Sequence, residues 1–201
     1  MIMSKVKPAV SARRVRAASA ARERTWIALF RGINVMGNNR LPMKDLATLL
    51  RGLKFHEVRT YIQSGNAVFA SAGTAAALSA RISAAVARRF GLHPYLVLFE
   101  ARELAQAIAR NPFPEGEAEP TSLHLWFLEE CPAAARHAGL EAVRAETERF
   151  KVHDKVLYLH APLGIGRSKL APRAERILGT KGTARNWRTV CTLYAMAKGD
   201  A

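Results

Sequence analysis

Apolar and polar positions change period several times along this chain, and each change marks an element. Trp26 to Phe30 are a short continuous apolar run, rich enough for a buried strand. Pro42 then introduces Met43, Leu46, Leu49, Leu50 and Leu53 at helical spacing, and Pro is favoured in a first helical turn. Alternation of Val58, Thr60 and Ile62 predicts a strand over 57–63. Ser64-Gly65 supplies a tight turn, and Asn66 to Ala70 return as the antiparallel partner. Gly73-Thr74 opens an Ala-rich helix with Leu78, Ile82, Ala85 and Val86 on one face, closed by Gly91. Residues 94–100 predict a strand and residues 101–111 a further helix. The first five elements and the strand at 94–100 give the order β-α-β-β-α-β, a split βαβ unit.

The segment PFPEGEAEP (112–120) has no period and reads as a linker. The same order then repeats. A strand is predicted at 122–129, and a helix from Pro132 to about Val143. A hairpin follows, turning at His153–Lys155, then a helix over 168–178, a short strand or loop at GTARNW and a final helix over 187–197. Pro172 cannot sit inside a regular helix, so the helix over 168–178 must start late or kink. The chain therefore reads as α+β, with two ferredoxin-like βαββαβ halves in tandem over 25–111 and 121–197 and an extra C-terminal helix. Residues 1–24 form a basic Ala/Arg/Ser tail expected to be disordered. A targeting segment, a nucleic-acid-binding arm and a start codon assigned too early all fit its composition.

Charge alters this picture at the two ends. The net charge is +15, and residues 151–201 hold ten Lys/Arg against three acids. A cationic surface of this kind attracts nucleic acid, acidic headgroups or phosphorylated metabolites. No apolar run is long enough for a membrane span. Cys131 and Cys191 lie far apart with no CxxC, which fits reduced thiols in a cytoplasmic protein.

The stretches ALFRGINVMGNNRLPMKDL, VRTYIQSGNAVF, NPFP and LYLHAPLGIGRSKL…TARNWRTV together resemble the DUF1697 family of bacterial proteins, in order, over about residues 25–197. The resemblance implies two ferredoxin-like halves and no particular activity. Met36 departs from the family's NVGG pattern, and Ala67 stands where Val is usual.

Candidate chemistry concentrates at strand ends and turns. Arg31 ends an apolar strand, so its guanidinium must reach solvent, a carboxylate or a ligand. Asn34 belongs to the polar loop that follows. Gln63, Ser64 and Asn66 surround Gly65; turn chemistry accounts for Gly65 and Asn66 but does not require the other two. GIGRSKL is not a P-loop, yet it places Arg167, Ser168 and Lys169 at a predicted helix start, where backbone N–H groups favour anions. Arg185, Asn186 and Trp187 form a second basic group, in which Trp187 can stack on a base or anchor the last helix in the core. No histidine has metal-ligand spacing, no cofactor is implied, and His160 is the weak candidate for proton transfer. The leading function is binding of an anionic ligand through a basic cleft, with nucleic acid favoured. The alternatives are an enzyme or sensor for a phosphorylated small molecule, or a protein-interaction module using the last helix. A closed pocket between the halves favours the small molecule, and an open basic face favours nucleic acid.

Overall fold

The computed structural model describes residues 23–35 and 38–200. Residues 1–22, most of the basic tail, lie outside the described residues, as does Met36. The first four strands are β1 (Arg24–Arg31), β2 (His56–Tyr61), β3 (Asn66–Ser71) and β4 (Tyr95–Glu100). They interleave with α1 (Met43–Gly52), α2 (Ala75–Phe90) and α3 (Ala101–Ala109). The second set is β5 (Leu123–Leu128), α4 (His137–Glu141), β6 (Arg149–His153), β7 (Val156–His160), α5 (Ala174–Leu178), β8 (Gly182–Asn186) and α6 (Trp187–Lys198). Each set forms one antiparallel four-stranded sheet. The orders are β2-β3-β1-β4 and β6-β7-β5-β8, so the two halves share one topology.

The apolar run of β1 is explained by its two buried faces. Trp26, Ala28 and Phe30 pack outward against α1 and α2, with Leu46, Leu50, Leu78 and Ile82. Ile27 and Leu29 face inward, toward Leu123, Leu125 and Phe127 of the other sheet. α3 and α6 contribute Leu104, Trp187, Val190 and Leu193 to that shared inner core. Leu140, Leu170, Ala174 and Leu178 cover the outer face of the second sheet. The layers thus run helices, sheet, paired helices, sheet, helices. No helix among the described residues is long and apolar enough to cross a membrane.

Helix ends follow their local chemistry. Thr74 Oγ1 accepts from the Ala77 N–H, and Gly91 closes α2 at φ 66°. Asn186 caps α6 by accepting from Thr189. Two helices are shorter than the sequence predicts. The expected helix from Pro132 is a 3-10 turn at Ala134–Arg136 followed by the five residues of α4. Its alanines favour helix but give it no wide apolar face, and Leu140 is its one buried residue. The segment from Ser168 forms a 3-10 turn at Ala171–Arg173 before α5, because Pro172 has no N–H for a helical ladder. Ile62, assigned to a strand by alternation, falls one residue past the end of β2.

Gly65 is fixed by a close approach. Its φ is +82°, and a Cβ there would lie 2.8 Å from Phe30 Cβ and 3.0 Å from Phe30 O. Gly32 also has a positive φ, +75°, but open space around it. Gly65→Ala is expected to cost about 2–3 kcal/mol and Gly32→Ala about 1 kcal/mol in urea unfolding. Equal costs would contradict the packing argument.

Candidate functional site

The end of β1, the loop after it, the β2–β3 turn, the residues around α5 and strand β8 enclose a cleft of about 900 Å³ at the junction of the halves. Its charged lining is Arg31, Arg176 and Arg185 against Glu175. Arg31 and Arg185 are held in different ways, and the difference sets the electrostatics.

Arg31 leaves β1 and meets a carboxylate of the other half. Its Nη1 donates to Glu175 Oε1 and Oε2 at 2.5 and 2.6 Å, and to the Gly182 carbonyl at 3.0 Å. About half of its side chain is exposed, so the pair adds little stability, on the order of 0–1 kcal/mol. Its charge is balanced locally.

Arg185 has no such balance. Its Nε donates to Asn66 Oδ1 at 2.5 Å. Nη1 donates to Thr183 Oγ1 at 2.8 Å and the Ala184 carbonyl at 2.7 Å. Nη2 donates to the carbonyls of Phe30 at 2.7 Å and Ser64 at 3.1 Å, with Gly65 at 3.4 Å. All five guanidinium donors are therefore directed at neutral oxygens. Burial lowers its pKa to about 10, so it stays charged at neutral pH. A partly buried cation of this kind projects positive potential into the space beside it.

The polar loop residues hold this arrangement in place. Asn34, at φ 54°, donates through Nδ2 to the carbonyls of Leu41 and Gln63 and accepts from the Leu41 N–H. Gln63 Oε1 accepts from the Met43 N–H, so its amide nitrogen remains a donor. Buried Asn66 donates to Ser64 Oγ and the Tyr61 carbonyl while it accepts from Arg185. The Ser64 hydroxyl keeps its own hydrogen to donate.

The structure thus brings Arg31, Asn34, Gln63, Ser64 and Arg185 to one cleft, with Asn66 behind Arg185. It does not bring the remaining candidates there. Arg167 and Ser168 border a separate hollow of about 30 Å³ with Thr147 and Glu148. Ser168 Oγ accepts from the Ala171 N–H and so caps only a 3-10 turn. Lys169 is exposed outside the cleft. Asn186 is the α6 cap, and Trp187 is 5% exposed within the inner core. His160 is buried at the end of β7, 3.6 Å from Glu115 and stacked on Phe113. Desolvation, then the nearby Arg149, lowers its pKa.

Sequence reasoning missed Glu175, Arg176, Val35 and Ile62 as lining residues. Glu175 had one available signal: it is among three acids in the last 51 residues. Among the described residues lining the cleft, Glu175 is the one carboxylate, and none is His, Cys, Lys or Tyr.

A family model described as "Protein of unknown function (DUF1697)" matches residues 24–158. That span includes the loop at 32–35 and the turn at 62–66 but stops before α5 and β8. No curated protein matches the chain. Among solved structures, a conserved bacterial protein from Streptococcus pneumoniae is similar, with TM-score 0.68 and 19% identity over 88% of this chain and 99% of that one. At that identity the likeness shows the fold.

Arg185→Lys offers three donors where five are in use, so buried acceptors lose their partners. It is expected to cost about 2–4 kcal/mol in urea unfolding, while Arg176→Gln, at an exposed position, stays within about 0.5 kcal/mol. Parity between the two variants would contradict a structural role for Arg185.

Proposed function

The chain belongs to the DUF1697 family, proteins of unknown function, and we propose that it is a binding protein for a small anionic ligand held in the cleft between its halves. The observation that carries this is the Arg185 charge, which is partly buried beside the cleft and, among the described residues, paired with no carboxylate. A partly desolvated, unbalanced charge carries a cost, and an incoming anion offsets it. Arg176 adds a second cation without a carboxylate of its own in the lining, and Ser64 and Gln63 add neutral donors. The cleft volume is within the range of small-molecule sites. A lining of one carboxylate and no other ordinary acid–base group favours binding over chemistry.

We also read each half as ferredoxin-like, divided at residues 112–120. The shared strand order of the two sheets supports this. Nucleic acid is the alternative partner. Residues 1–22 carry six of the Lys/Arg and no acid, and they lie outside the described residues. The small anion is preferred because the uncompensated charge faces a concavity.

Thermal unfolding with inorganic pyrophosphate, at fixed ionic strength, tests this reading. Saturating ligand is expected to raise Tm by roughly 5–10 °C. Arg176→Gln should at least halve the rise. An unchanged Tm contradicts small-anion binding. A salt-sensitive mobility shift with mixed RNA or DNA in its place would move the function to nucleic acid.

A further inference from the structure

The cleft carries a second kind of surface that an inorganic anion would not use. Three large hydrophobic side chains are markedly exposed among the described residues: Val35 at 53%, Ile62 at 52% and Leu163 at 60%. Val35 and Ile62 both line this one cleft, from two different loops. The lining also includes the buried apolar residues Phe30, Ile33 and Trp126.

Ile62 is disfavoured twice over. Besides its exposure, it holds φ 43°, in the left-handed region. The other non-glycine residues of positive φ are Asn34, Asn39, Lys54, Glu57 and Asp154, so Ile62 is the β-branched one among the described residues. A β-branched side chain is the worst suited to that conformation, and Asn or Gly would adopt it at lower cost. The turn itself gains nothing from isoleucine. Its hydrogen bonds run through Gln63, Ser64 and Asn66. Local strain kept at a cleft wall points to a role in what the cleft holds.

We propose that the ligand is an organic anion with an apolar body, its charged group at the arginines and its body against Val35 and Ile62. This rests on the anion-binding reading and specifies it. The cleft is far larger than an inorganic anion needs, and its lining divides accordingly. The guanidinium groups of Arg176 and Arg185, which have no carboxylate of their own in the lining, attract the charge. The two aliphatic side chains lose water when the body covers them.

Isothermal titration of the full chain with inorganic phosphate, phenyl phosphate and phenol, at constant ionic strength, separates the two ideas. Phenyl phosphate is expected to bind about tenfold more tightly than inorganic phosphate, and phenol far more weakly than phenyl phosphate. Ile62→Asn combined with Val35→Ser should remove most of that tenfold advantage and leave inorganic phosphate within about twofold. Ile62→Asn alone should also raise Tm, because Asn accepts the left-handed conformation. Ile62→Gly serves the same purpose should the Asn variant fold poorly. Equal affinity for the two phosphates overturns the apolar body while leaving anion binding intact. So does a preference that survives the double substitution. Failure of both phosphates to bind overturns the anion-binding reading and this inference together.

Discussion

One guanidinium organises the junction of the two halves. Arg185 extends from β8, the edge strand of the second sheet, and gathers acceptors from the end of β1, the β2–β3 turn, Asn66 and its own strand. Those acceptors are neutral, so the hydrogen bonds are complete and the charge is not. The first property fixes the loops that wall the cleft. The second gives the cleft its potential. Replacing the group with a neutral side chain would remove both at once, which is why position and polarity cannot be treated separately here.

Stability has a different source. The inner core between the sheets, built on Ile27, Leu29, Leu125, Phe127, Trp187 and Leu193, removes far more apolar surface from water than any single polar contact can offset. Polar links across the halves then set register. The Tyr158 hydroxyl donates to the Ala107 carbonyl at 2.8 Å, Arg110 pairs with Asp154 at 2.7 Å, and Arg59 donates to the Met196 carbonyl. The Arg31–Glu175 pair is of this class, half-exposed and of small energetic weight. Its effect on the site is larger than its effect on the fold, because it balances one cleft arginine and leaves the other two without a carboxylate of their own in the lining.

Most of the sheet architecture was legible in the chain, since local periods report strands and helices directly. The continuous run at Trp26–Phe30, the alternation in β2 and the Thr74 and Gly91 signals around α2 all mark real elements. Ala-rich and Pro-containing stretches were harder. The residues around α4 and α5 favour helix by composition yet lack a wide apolar face or an uninterrupted ladder. Of the site, polar residues at strand ends and turns were visible: Arg31, Asn34, Gln63, Ser64 and Arg185. Their partners were not. Glu175 fell inside the helix predicted over 168–178, and Ile62 inside the strand predicted over 57–63. Each becomes a cleft residue only because the chain places α5 and the β2–β3 turn side by side, a relation between distant segments that no local pattern encodes.

The central claim is that the cleft beside Arg185 attracts an anion. The most direct measurement is an anomalous-difference map from crystals soaked in tungstate, a heavy phosphate analogue. The account predicts a peak in the cleft bounded by Arg31, Arg176 and Arg185. Tungstate bound only near Arg167 and Lys169, with water alone filling the cleft, would contradict it.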